Sequence, residues 1–162
     1  MAGDFRTTNG SQLFISPTSV TSAVDSLPEF EAISDWIKVG NIEDLGEVGD
    51  EATAVTGATI EDGRIRKAKG ARDAGTQAVI CFQDPLDVGQ LALIDAEATK
   101  FNYPFKLIIN DAPSEAYSNT TQYYRGLVMG KRLRMGTNDN IMRRTFNIAV
   151  NSEVFEDAAS TA

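Results

Sequence analysis

Apolar and polar positions alternate in short runs along most of the chain. "LFIS" at 13–16, closed by Pro17, reads as a short strand, and "SDWIKVGNI" at 34–42 sets Trp36 and Val39 beside Asp35 and Lys38 in strand fashion. Between them, 18–32 is rich in Ser, Thr and acid and reads mostly as loop. A strand through 52–56 is embedded in a glycine- and acid-rich stretch, 43–63, which otherwise reads as a long loop or flexible hairpin. Residues 64–70 and 75–83 read as two strands around the turn "ARDAG"; the second, "TQAVICFQ", is the richer in β-branched and apolar residues.

The one clear helix is "DPLDVGQLALIDAEATKF", about 84–101. Asp84 is suited to cap it, Pro85 to its first turn, and Asp87 to the positive end of its dipole. Leu91, Ile94, Ala98 and Phe101 recur at i, i+3, i+7 and i+10, which predicts the face turned to the core. Lys100 falls in the last turn, where a cation is favoured. Beyond it, 103–110 reads as a strand with Phe105, Leu107 and Ile109 on one face. A long strand at 122–136, bent at Gly126 or Gly130, is joined through "TNDN" to a partner at 141–155. Many strands with one helix between two of them predict a mainly β fold: a two-sheet antiparallel β-sandwich or barrel with one flanking helix. The expected organisation is a single domain over 1–162, with a polar arm at 1–12 and a loose tail at 156–162.

A chain of 162 residues is long enough for one domain with its own core. Its apolar runs are far shorter than the roughly 20 residues a membrane helix needs, so no membrane anchor is expected. "MAGDFRTTNG" contains no apolar signal-like stretch and no myristoylation start. Cys81 is the single cysteine and lies in the strand-like "AVICF", so it reads as a core residue of a protein made in a reducing cytosol.

There is no histidine, which removes the commonest general base and the commonest zinc ligand. Adjacent acids such as Glu43–Asp44 and Glu61–Asp62 point to opposite faces of a strand and make poor catalytic dyads. "DLGEVGDE" lacks the ligand spacing of a calcium loop, and "GEVG" and "GLVMG" are not phosphate loops. Met129, Met135 and Met142 read as core or interface residues. No enzyme, cofactor or metal site is expected.

Charge is segregated. Asp25, Glu29, Glu31, Asp35, Glu43, Asp44, Glu47, Asp50, Glu51, Glu61 and Asp62 share their segment with a single cation, Lys38. Directly after them come Arg64, Arg66, Lys67, Lys69 and Arg72, without an acid among them, in a chain of net charge −8. Arg125, Lys131, Arg132, Arg134, Arg143 and Arg144 form a second basic block. Three readings follow. The charged strands have one solvated face. Alternatively, the basic strip of one copy meets the acidic loop Glu43, Asp44, Glu47, Asp50 and Glu51 of another, since complementary patches steer association and fix register. As a third reading, Tyr123 and Tyr124 beside Arg125 serve a β-barrel that binds nucleic acid or a ligand; the net negative charge and the absence of aromatics at 64–72 oppose this.

Four stretches taken in order resemble the major tail proteins that form the tail tubes of long, non-contractile-tailed bacteriophages. They are "GSQLFISPTSVTS"; the run from "IKVGNIEDLGEVGD" through the charged strand to "DPLDVGQ"; "YPFKLIIND"; and the closing hairpin "YYRGLVMGKRLRMGTNDNIMRRTFNIAVNSEV". The resemblance implies a virion structural protein, made in the host bacterial cytoplasm, whose copies form stacked rings, with six copies expected in each. It implies partners as well: the protein itself, a tape-measure protein housed in the lumen, a tail terminator and tail-tip proteins. DNA would pass through the lumen without specific binding, along a wall expected to be acidic. A tail terminator or tail-tip ring protein of the same fold is the alternative.

Overall fold

Strand alternation carries most of the strands into one antiparallel sheet. The computed structural model describes residues 4–20 and 24–161. Residues 1–3, 21–23 and 162, which belong to the expected arm, first loop and tail, lie outside the described residues. The elements are β1 (Gln12–Ile15), α1 (Leu27–Glu31), β2 (Ile37–Lys38), β3 (Ile42–Asp44), β4 (Glu51–Ala58), β5 (Ile65–Asp73), β6 (Thr76–Phe82), α2 (Val88–Glu97), β7 (Tyr103–Ile108), β8 (Thr121–Arg134), β9 (Arg143–Val150) and β10 (Phe155–Asp157). Eight strands form one sheet in the order β2-β1-β7-β8-β9-β6-β3, with β10 also on β8; among the described residues β4 and β5 pair only with each other.

The long strand β8 organises the sheet. Its first half lies between β7 and β10, and its second half runs beside β9. The register shifts between Val128 and Gly130, where a bulge bends the strand. Gly126 is needed for a different reason: a Cβ there would stand 2.7 Å from the Ala149 carbonyl oxygen. Alternate residues then meet in the core: Leu13 and Ile15, Val79 and Cys81, Phe105 and Leu107, Tyr124 and Val128, and Phe146, Ile148 and Val150. Burial, with the Asp87 charge second, pushes the Cys81 thiol up to about 12, so it stays protonated and unreactive at neutral pH. Within this core Gln77 is also buried. It donates to the Leu45 carbonyl at 2.8 Å and accepts from the Tyr124 hydroxyl, so neither polar group is left unpaired.

The far face of the sheet has its own cover. Tyr123 points away from Tyr124 and stacks on Phe30 of α1 at 6.0 Å between centroids, with Trp36 at 6.1 Å. Helix α1 lies in a stretch that composition reads as loop. Its signal was present in "SLPE": Pro28 sits in the first turn, and the Glu29 carboxylate accepts from the Asp25 and Ser26 amides at 2.9 and 3.1 Å.

Two sequence expectations are corrected. The strands on either side of "ARDAG" are not partners: β5 pairs with β4, and β6 pairs with β9 and β3. The reason is burial. β6 has an inward face of Gln77, Val79 and Cys81, whereas β5 carries cations on both sides, with Ile65 its one large apolar residue, and has no continuous apolar face to bury. The chain end is also held, since β10 pairs with β8 and the Ser118 amide donates to the Ser160 carbonyl at 2.8 Å.

Asp35 and Asp111 tie loops to the sheet. Asp35 accepts from Ser16 at 2.7 Å and Thr18 at 2.8 Å, and these bonds, Ser16 foremost, hold its carboxyl below the usual range. Desolvation opposes the same effect at Asp111, but the two bonds from Thr120 outweigh it. A depressed folded pKa gives stability that is full above the unfolded value and drains as pH falls through the folded one. The melting temperature is therefore expected to be level between about pH 6 and 8, where only histidine ordinarily titrates, and to fall below about pH 4. Thermal melts by circular dichroism across that range test this; an unchanged melting temperature at pH 3 would refute it.

Candidate assembly interface

The strip of cations becomes the second strand of a free-standing hairpin. Cross-strand pairs share a face, so Ala54 with Lys69, Thr56 with Lys67 and Ala58 with Ile65 lie on one side, and Val55 with Ala68 and Gly57 with Arg66 on the other. The chain reverses over 59–64, where Gly63 has φ +60°. Asp62 holds this turn: it accepts from the Thr59 hydroxyl at 2.8 Å and the Arg64 amide at 3.1 Å, and pairs with the Arg66 guanidinium. Those contacts, the Arg64 amide first, lower its pKa. The hairpin exposes Val55, Ile60 and Ile65, and Ile60 at its tip is fully open to solvent.

The structure divides the ten charged residues singled out by sequence. Arg66 is engaged by Asp62, and Arg72 reaches Asp50 of its own chain at 3.7 Å. Glu43 holds Arg143, whose guanidinium also lies 5.3 Å over the Phe82 ring. Asp44 accepts from the Gly46 amide at 2.8 Å and shapes that turn. Among the described residues, Arg64, Lys67 and Lys69, and opposite them Glu47 and Glu51, make no ion pair and are exposed. Sequence reasoning counted Asp62 and Arg143 in the charged blocks but assigned neither a role. It also passed over the apolar residues set among the charges of the hairpin, although Val55, Ile60 and Ile65 in an otherwise polar stretch were a readable sign of a surface to be covered.

Helix α2 corrects a further expectation. It starts at Val88, with Asp87 as the cap, because the Asp87 backbone is still extended and its side chain accepts from the Gln90 amide at 3.2 Å. Asp84 instead accepts from the Leu86 amide at 3.0 Å and the Asn41 side chain at 3.1 Å. The buried face is Gly89, Gln90, Leu93 and Ala96; Leu91, Ala98 and Phe101 point outward and Ile94 is half-buried. Gly89 sets this rotation. A Cβ on it would lie 2.2 Å from the Lys38 carbonyl oxygen, so only this residue lets the helix approach the chain at 38–39 so closely.

The sheet face turned away from the core across β6, β9 and β8 includes the pairs Thr76–Ala149, Ala78–Asn147, Ile80–Thr145, Phe82–Arg143, Arg132–Thr145 and Arg134–Arg143. No acid stands among them. The acidic excess lies at the margin, on β3 and the loop that follows it.

No family profile matches the chain, and no curated protein matches its sequence. Its backbone superposes on a protein of the six-fold symmetrised cryo-EM structure of the anti-feeding prophage baseplate with a TM-score of 0.65, at 8% identity and over 98% of each chain. It superposes on the SPP1 tail tube protein, solved by solid-state NMR and cryo-EM, with a TM-score of 0.58 at 13% identity, over 91% of this chain and 76% of that one. The chain has the tail-tube fold. In this setting β4 and β5 are a projecting hairpin, and α2 flanks the sandwich at β1, β2 and β8.

Proposed function

We propose that this protein is a structural subunit of a phage-tail-like particle, polymerising as stacked rings into a tail tube. The observation that carries the reading is the free-standing hairpin. Strands of 8 and 9 residues are exposed along nearly their whole length, bear unpaired cations and apolar side chains, and join no other strand among the described residues. An isolated two-stranded hairpin gains little stability alone, so a surface of another copy is its natural support. Head-to-tail contacts between unlike surfaces generate rings and filaments. Six copies to a ring, a lumen that houses a tape-measure protein and passes DNA, capping by tail terminator and tail-tip proteins, and a place in the virion complete the proposal. A baseplate or tail-tip ring is the second reading, favoured by the superposition on a baseplate protein over both full lengths.

Arg64, Arg66, Lys67, Lys69 and Arg72 form the contact strip in this reading, with Glu47 and Glu51 of a neighbour as the free acids of the loop that also holds Glu43, Asp44 and Asp50. Negative-stain electron microscopy over a concentration series is expected to reveal hollow tubes or stacked rings. The triple variant Arg64→Glu, Arg66→Glu, Lys69→Glu is expected to stay monomeric and folded, with a melting temperature lowered by no more than a few degrees, because all three side chains are exposed and the ion pair lost, Arg66 with Asp62, is a surface one. Raising salt from about 0.1 to 1 M should also weaken assembly, since it shortens the screening length from about 10 to 3 Å. A triple variant that polymerises like the parent removes the strip from the interface.

A further inference from the structure

Two of the exposed surfaces of the chain are complementary. The first is the outer side of α2. Val88, Leu91, Asp95 and Ala98 recur at i, i+3, i+7 and i+10 on the side away from the sheet, and Leu86 and Phe101 extend the stripe at either end. Leu86 is 85% exposed, Val88 60% and Phe101 62%. This is an apolar stripe with one carboxylate in it, and Asp95 makes no ion pair among the described residues. The neighbouring Glu97 is taken by Lys131 at 3.4 Å.

The second surface is the hairpin face that carries Ile65, Lys67 and Lys69 beside Ala54, Thr56 and Ala58, with Ile60 beyond it at the tip. Small apolar residues there leave room for a helix to approach, and its two ammonium groups have no acid among the described residues. The helix stripe and the hairpin face share no substantial packing within one chain. The acidic loop offers Glu47 and Glu51 but little apolar surface; the α2 stripe offers both a carboxylate and apolar area.

We propose that the outer stripe of α2 is the seat for the β4–β5 hairpin of a second copy. Ile60 and Ile65 cover Leu86, Val88 and Leu91, and Lys67 or Lys69 meets Asp95. The inference rests on the self-assembly reading above and refines its contact: Lys67 and Lys69 face Asp95 of the second copy, and Arg64 is the strip cation left for Glu47 and Glu51. The contact is heterologous, so each copy both gives a hairpin and receives one, and growth is not closed by pairing.

Two proteins with one introduced cysteine each test it, Leu91→Cys and Ile65→Cys, both at exposed positions. The native Cys81 is fully buried with its thiol pushed up, so the introduced thiols are the reactive ones. Mixed under assembling conditions with a short bis-maleimide, the pair is expected to give a covalent dimer that neither protein gives alone. In parallel, Asp95→Lys is expected to raise the concentration needed for assembly about tenfold or more, and Lys67→Asp with Lys69→Asp in the same chain to restore it. Tubes or rings that form normally from Asp95→Lys, with no dimer from the cysteine pair, overturn the α2 seat and leave the tube reading standing. A parent protein that forms no assembly at any concentration overturns both.

Discussion

Gln90→Leu is expected to lower the melting temperature by about 8–16 °C, from a loss near 4 kcal/mol converted at the slope usual for chains of this size. Gln90 is buried at the start of α2, where its side chain satisfies three backbone groups. It donates to the Gly40 carbonyl at 3.1 Å and the Phe82 carbonyl at 2.9 Å, and accepts from the Asp84 amide at 3.2 Å. These groups belong to three separate parts of the chain: the segment before β3, the end of β6 and the loop into α2. Leucine fills a similar volume but pairs with none of them. An unpaired buried polar group costs roughly 1–3 kcal/mol, more than the modest gain from burying extra apolar surface returns. Thermal and urea melts measure the loss. A shift under about 3 °C would mean that water reaches these groups and that the junction is not a closed one.

Gly89→Ala is expected to destabilise the fold by about 1–2 kcal/mol, against the sign that helix propensity alone would give. In an exposed helix the substitution gains about 1 kcal/mol. At this position the new Cβ would stand 2.2 Å from the Lys38 carbonyl oxygen and 2.5 Å from the Val39 Cα, both backbone atoms that no rotamer change can clear. The helix has to move off the sheet, which strains the Asp87 bond to the Gly40 amide, 2.8 Å in the native fold. Overpacking of this kind costs about 1–3 kcal/mol, at times more, and exceeds the propensity gain. Gly57→Ala is the control. Nothing lies within 4 Å of its Cβ position and its φ is not in the left-handed region, so a change within about 0.5 kcal/mol is expected there. Equal effects at the two positions would refute the close-approach account.

The two corrections to α2 and β5 have one cause. Periodicity at 91, 94, 98 and 101 is genuine, but a helix with apolar residues on two sides does not say which side a sheet will take. The glycine that docks on residues 38–39 decides that, and its contact is 50 residues away in sequence. In the same way, the strand pattern at 64–70 was readable, whereas its partner was not: pairing depends on which strands have a face to bury.

The sequence by itself determined the strands with an alternating apolar face, the position of the one long helix to within a few residues, the segregation of acidic and basic blocks, and the likeness to tail tube proteins. Each of these depends on residues near one another along the chain. The tertiary structure decided the pairing of β5 with β4, the rotation of α2, and which charges are consumed by Asp62, Asp50 and Arg143 of the same chain. Those outcomes rest on contacts between distant segments, whose energies favour one arrangement only once the whole core is assembled.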